Sequence, residues 1–353
     1  MARVIAPHDA FAQAFGDSWE AHIPGHLRAR FRSRRWPACP PGGPPPRHRP
    51  DLPFATWPDG TPLLCDLWLP PAGVEPTGLG LIYLHGSAWH YIDKDVGTRP
   101  FFRTLARQGH VVMDVAYTLS PRATMQEMVG DAKRAIAWLK EEGSTYGVDP
   151  ERIVLAGGST GGHLALLAAY TPNDPDLQPA GLAGDTSVAG VVAYYGFADL
   201  AATHRYFNAA GEGVAGRIMA FSDDLFRRLF EERLRRVGFI PPYGRWVPMT
   251  DFLSLPLGGA PAQVPEAYAR FSPQTYAGVH CPPTLFLQGE HDVAGMVPQM
   301  RHLHETLRAA GATSLYVEFP QTQHGFDLFF PALSPAAGAA FYDLERFLGL
   351  LTT

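Results

Sequence analysis

Apolar and polar positions along this chain fall into two alternating rhythms. Short runs rich in β-branched and aromatic residues read as strands, and between them lie longer stretches whose apolar residues return every three to four positions, as in helices. The first strand pair covers residues 54–57 and 63–69, with Pro58-Asp59-Gly60 as the turn of a hairpin. Further strands are predicted over residues 80–86, 111–117, 152–156, 188–195, 283–288 and 314–319. Helices are predicted over residues 100–107, 125–142, 163–170, 298–310 and 336–350. The most regular is 125–142, where Val129, Ala132, Ile136 and Leu139 share one stripe and Gly143 is expected to close the helix. Alternation of this kind predicts an α/β fold, a mostly parallel sheet with helices on both faces and ligands at the carboxyl ends of the strands.

Two stretches break the rhythm. Phe11, Phe15, Trp19, Ile23 and Leu27 recur at roughly helical spacing, and a run of prolines and glycines over residues 36–46 follows them. Residues 1–50 are therefore expected to be a helical extension hinged by a stiff linker onto a main domain of residues 51–353. The second break covers about residues 197–271. Within it, Phe221 to Arg236 form an amphipathic pattern, with Phe226 and Phe230 on the apolar side and Ser222 as the expected cap.

Composition narrows the function. The 353 residues are 46% hydrophobic with a net charge of −5, and no basic block could track a nucleic-acid backbone. Cys39, Cys65 and Cys281 are too few and too far apart for a disulfide framework or a metal-ligand spacing. The first residues lack the apolar core of a secretory signal, and no apolar stretch approaches membrane-spanning length. A cytoplasmic protein without nucleic-acid or integral-membrane partners is expected. Assembly into a homo-oligomer is compatible with the sequence.

The chemistry centres on Gly157-Gly158-Ser159-Thr160-Gly161-Gly162, which falls between a predicted strand and a predicted helix. Glycines two residues either side of a serine permit a one-turn reversal that presents the hydroxyl beside the N–H groups opening the helix. A glycine-rich turn of this kind can also cradle phosphate. That version requires either a Gly-Lys-Ser/Thr sequence or a place in the first strand–helix unit, and this turn has neither. A reactive serine needs a base, and the base an orienting acid. His324 follows the last strand beside Gly325, and Asp292 follows the strand before it; Glu290 and Asp199 are alternative acids. Oxyanion donors are expected from the backbone N–H of Thr160 and from Gly86, Ser87 and Ala88, in the loop after the 80–86 strand. His85 and His163 are expected to be structural.

Taken with His85-Gly86-Ser87-Ala88-Trp89, Asp114 to Pro121, Asp149-Pro150-Glu151-Arg152, His291-Asp292 and His324-Gly325-Phe326, these motifs make the sequence similar to the α/β-hydrolase superfamily, in the esterase/lipase group related to hormone-sensitive lipase. The resemblance covers about residues 78–330. It implies a roughly eight-stranded sheet with a helical cap, and hydrolysis of carboxylic esters through an acyl-serine, with no metal or organic cofactor. The Phe221 to Arg236 helix, docked as a lid over the site, is expected to favour esters of short to medium acyl chain. Ser87 and Ala88 replace two glycines usual in the group, so their side chains are expected to crowd the acyl side of the hole. The glutamate often found beside the serine is absent, Gly158 and Thr160 standing there. Trp89, Phe226 and Phe230 are the expected substrate-binding residues. An arylformamidase or another amide hydrolase on the same machinery is the alternative, and a non-catalytic ligand-binding protein is the other class.

Overall fold

The computed structural model describes residues 7–23, 25, 44–209, 231–328 and 334–352. Eight strands form one sheet: β1 (Arg47–Thr56), β2 (Pro62–Leu69), β3 (Gly78–Leu84), β4 (Val111–Val115), β5 (Val148–Gly158), β6 (Gly190–Tyr194), β7 (Thr284–Gly289) and β8 (Ser314–Phe319). Their order in space is β1-β2-β4-β3-β5-β6-β7-β8. The pairs β1/β2 and β2/β4 are antiparallel, and every pair from β4 onward is parallel. Strands β4, β6 and β7 are buried along their whole length, which is why they read as unbroken apolar runs rather than as alternation.

The helices lie on both faces. On one face α4 (Met125–Glu142), α5 (Thr160–Tyr170) and α7 (Val297–Ala309) bury Ile136, Leu139, Leu166 and Leu303 against Ile82, Leu84 and Leu155. On the other, α1 (Pro7–Phe15), α2 (Trp19–His22), α3 (Arg99–Arg107) and α8 (Pro335–Leu350) cover Leu81, Tyr83, Val192 and Leu285. Neighbouring residues of one strand thus serve opposite cores, as the two-residue period of a pleated strand requires.

Helix α4 starts on a capping box: Glu127 N–H donates to the Thr124 hydroxyl at 3.4 Å, and Thr124 N–H to the Glu127 carboxylate at 2.7 Å. Its end differs from the expectation. Gly143 keeps a right-handed conformation (φ −59°) and the chain continues as a 3₁₀ turn to Tyr146; the left-handed residue that stops it is Gly147, with φ +84°. The cause is local packing. A Cβ at Gly143 would lie 3.0 Å from the Val148 side chain, so glycine is needed there for close approach rather than for handedness.

The N-terminal region also differs. Strand β1 begins at Arg47, so the expected boundary at residue 50 falls inside a strand. Phe11, Trp19 and Ile23 are buried in the same cluster as Phe102, Phe347 and Leu348, so their apolar stripe completes a face of the core. Leu27 and most of the proline-rich stretch lie outside the described residues.

In the 197–271 stretch, α6 (Leu200–Ala209) follows β6, residues 231–236 are helical, and short helices occupy Ser254–Leu257 and Pro265–Arg270. Phe226 and Phe230 lie outside the described residues. Ile240 and Val247 pack on Tyr91, whose hydroxyl accepts from Val247 N–H at 2.7 Å and donates to Val247 C=O at 2.9 Å. His90 reaches Phe252 C=O at 3.0 Å. The stretch is thereby fastened to the loop that follows β3.

Candidate active site

Ser159 occupies the turn between β5 and α5, with φ +56° and ψ −120°. A residue bearing a Cβ holds such a conformation at a cost of about 1–3 kcal/mol. The turn is so tight that its flanking glycines are obligatory: a Cβ on Gly161 would fall inside the Leu84 carbonyl, and one on Gly157 would collide with the Gly161 carbonyl group. Ser159 N–H donates to Tyr194 C=O at 2.9 Å, which ties the turn to β6. We expect Gly161→Ala to force α5 away from β3 and destabilise the fold by on the order of 4 kcal/mol or more. Thermal melting and labelling by a fluorophosphonate should both record it; a variant with wild-type melting and labelling would contradict this account.

His324 Nε2 lies 3.0 Å from Ser159 Oγ. On its other side His324 Nδ1 is 3.0 Å from each oxygen of Asp292. The Asp292 side chain is fully buried and held in turn, accepting from Gln288 Nε2 at 2.8 Å and from Ala294 N–H at 2.8 Å. The alternative acids are engaged elsewhere. Glu290 accepts from Gln321 N–H at 2.9 Å, and Asp199 accepts from Ala202 N–H at 2.9 Å in the first turn of α6.

Four backbone N–H groups were expected to face the reacting oxygen. Gly86 stands against the elbow, for a Cβ there would lie 3.1 Å from Gly158 C=O and 3.3 Å from Ser159 Cβ. The N–H groups of Gly86, Ala88 and Thr160 have no acceptor among the described residues. The Ser87 N–H is different, and here the expectation is corrected: it donates to Thr160 Oγ1 at 2.9 Å and has no capacity left for a ligand. Nor does the Ser87 side chain crowd the acyl side. Its hydroxyl is 2.6 Å from Tyr117 Oη and 3.0 Å from Thr160 Oγ1, and it accepts from Trp89 N–H at 2.9 Å. Ser87 is a keystone of the loop rather than part of its lining.

Trp89 needs a second correction. It is fully buried, packed on Phe197 and on His163, and its indole N–H donates to His163 Nδ1 at 3.4 Å. A side chain without accessible surface anchors the loop and does not meet a substrate. His163 passes the contact on, donating from Nε2 to Phe271 C=O at 2.8 Å. Burial pushes His163 down to about 4, and His85, stacked on Tyr117, is likewise pushed down to about 4 by burial. Both stay neutral at ordinary pH, as structural histidines do.

A further group around the site was not anticipated. Tyr195, just after β6, lies with its ring 4.5 Å from the His324 imidazole and donates its hydroxyl to Asp327. Asp327 is three residues beyond His324, and no spacing rule marks it out in the sequence. Burial pushes its carboxyl up to about 6. Among the described residues, no group of three or more His, Cys, Asp or Glu could hold a metal ion, and no helix is long and apolar enough to cross a membrane.

Comparison with known proteins bears on this arrangement. A family model described as BD-FAE matches residues 65–219. Esterase LipQ of Mycobacterium tuberculosis is 32% identical over 306 residues, covering 85% of this chain and 62% of LipQ. The probable carboxylic ester hydrolase LipM of the same organism is 31% identical over 286 residues, covering 80% of this chain and 57% of LipM. The chain thus spans about three fifths of the length of these relatives. Among solved structures, the propionate-bound thermophilic esterase Est2 of Thermogutta terrifontis superposes with a TM-score of 0.59 at 22% identity, over 84% of this chain and 92% of that one. Its likeness concerns the fold, and the eight-stranded, mostly parallel sheet agrees with it. By its sheet order and these likenesses, the chain has the α/β-hydrolase fold and is similar in sequence to esterases.

Proposed function

We propose that the protein hydrolyses carboxylic esters through an acyl-serine intermediate, and that Ser159, His324 and Asp292 carry the reaction. The observation that supports this reading is the unbroken relay from Asp292 through His324 to Ser159 Oγ, each step at 3.0 Å. The names of the relatives, esterase and carboxylic ester hydrolase, point the same way. In the first half-reaction His324 Nε2 accepts the proton as Ser159 Oγ attacks the ester carbon. The oxygen that becomes negative is stabilised by N–H groups drawn from Gly86, Ala88 and Thr160, fixed in place before the charge develops. Collapse expels the alcohol, which takes the proton from His324, and water then releases the acid by the reverse sequence. Asp292 holds the imidazole with Nδ1 protonated and stabilises the imidazolium.

In this reading residues 51–353 form the hydrolase unit, joined by β1 from residue 47 and with residues 197–271 as its cap. The preference for short to medium acyl chains rests on the apolar side of the Phe221 to Arg236 pattern. The free, buried thiols of Cys65 and Cys281 support a reducing compartment. A panel of nitrophenyl esters from acetate to palmitate, with one formanilide, tests the reading. Turnover is expected to fall beyond medium chains and to be slower on the formanilide; faster formanilide cleavage would move the assignment to amide hydrolysis. Absence of turnover on every ester, with no labelling of Ser159 by a fluorophosphonate, would remove it.

A further inference from the structure

Tyr195 leaves β6 with φ +38°, a left-handed conformation that a residue with a side chain holds at a cost of about 1–3 kcal/mol. The side chain shows what this conformation accomplishes. Its ring lies beside the His324 imidazole at 4.5 Å, inclined by 56°, and its hydroxyl donates to Asp327. The same hydroxyl stands beside the elbow, since a Cβ on Gly158 would meet Tyr195 Oη at 3.1 Å and Tyr83 Oη at 3.3 Å. One side chain therefore reaches from the imidazole to the backbone that carries Ser159. It is tethered there by the segment that carries His324.

The two sides of the frame are held differently. Tyr195 N–H donates to Leu287 C=O at 2.9 Å, so the end of β6 is fixed to β7. His324, by contrast, is followed by Gly325 at φ +69°, a pivot with wide backbone freedom. Phe326 packs on Tyr195 and on Phe319, but apolar contact carries no direction, whereas a hydrogen bond does. No Lys or Arg forms an ion pair with Asp327 among the described residues; its carboxyl stands instead near the phenols of Tyr83, Tyr194 and Tyr195, where burial makes its charged form costly.

We propose that Tyr195 and Asp327 are positioning residues for His324: the phenol and the carboxyl clamp the loop after β8 onto the end of β6 and so keep Nε2 at hydrogen-bonding distance from Ser159. The kinetic part of this proposal rests on the ester-hydrolase reading; the geometric part does not.

The test uses the full chain with Tyr195→Phe, Asp327→Asn and the double variant Tyr195→Phe/Asp327→Leu. A misplaced imidazole is expected to lower kcat about ten- to a hundredfold in Tyr195→Phe with KM nearly unchanged. Asp327→Asn still accepts the phenol through its amide oxygen and should retain most of the wild-type kcat. The double variant removes the carboxyl left unpaired by the first change; it should recover the melting temperature without recovering kcat. A second readout needs no substrate: the low-field proton resonance of the His324–Asp292 hydrogen bond should persist in wild type and Asp327→Asn and broaden away in Tyr195→Phe. An unaltered kcat and resonance in Tyr195→Phe would overturn the proposal, and so would recovery of kcat together with melting temperature in the double variant. If the wild type turned over no ester while the resonance still depended on Tyr195, the reaction would be misassigned and the positioning role would stand.

Discussion

Ser159→Ala should lower ester turnover by about six orders of magnitude, the loss typical when the nucleophile of such a relay is removed. The side chain contributes a single hydroxyl, and its hydrogen bond is to His324 Nε2, so folding should be almost unaffected. The strained backbone at residue 159 is as accessible to alanine as to serine, because both carry a Cβ. A fluorophosphonate should label the wild type at Ser159 and leave the variant unlabelled. Equal labelling of the two, or turnover surviving at more than a trace, would show that the reacting hydroxyl lies elsewhere.

Asp292→Asn should cost about 10⁴ in turnover. The carboxylate faces His324 Nδ1 with both oxygens at 3.0 Å, and its remaining contacts are donors as well, Gln288 Nε2 and Ala294 N–H. An asparagine introduces an N–H₂ into a place where every neighbour already donates. The imidazole would turn its other tautomer toward Ser159 and lose its capacity to accept a proton from it. Glu290→Gln is the control. Its side chain is 38% exposed and accepts one backbone N–H, which an amide oxygen can also do, so activity should change little. Steady-state kinetics of the two variants side by side decide the matter: a damaging Glu290→Gln with a mild Asp292→Asn would exchange the two roles.

The parts of the site that the sequence disclosed are those governed by local geometry. Gly157 and Gly161 bracket Ser159 at a spacing visible within five consecutive residues, although the atoms that forbid a Cβ there include the Leu84 carbonyl of β3. Strand ends followed by Asp292 and by His324-Gly325 are visible as the termini of apolar runs. The sheet was legible for the same reason, each strand announcing itself by its own period. What remained hidden depends on partners distant along the chain. Nothing near Ser87 shows that its N–H is taken by Thr160, and nothing near Trp89 shows that His163 and Phe197 enclose it. The Tyr195–Asp327 pair is of this kind too, since it forms only once β6 and the loop after β8 are side by side. The N-terminal helices illustrate a subtler case. Helical spacing marked Phe11, Trp19 and Ile23 as one stripe, but amphipathicity does not say which surface receives it, and the proline-rich stretch after them suggested an appendage rather than a piece of the core.

That burial has a consequence for how the molecule is made. Phe11 and Trp19 belong to the same cluster as Phe347 and Leu348, which are synthesised long after them, and the Arg346 guanidinium lies 5.6 Å over the Trp19 ring. During translation α1 and α2 therefore wait, their apolar stripe uncovered, until α8 has left the ribosome. Contacts of such long sequence separation slow folding, because the chain entropy of closing the loop is lost before the contact is gained. Meanwhile the uncovered stripe offers a binding surface to chaperones or to other nascent copies, so yield in cells should be more sensitive to substitutions at Phe11 and Trp19 than catalysis in the folded protein is.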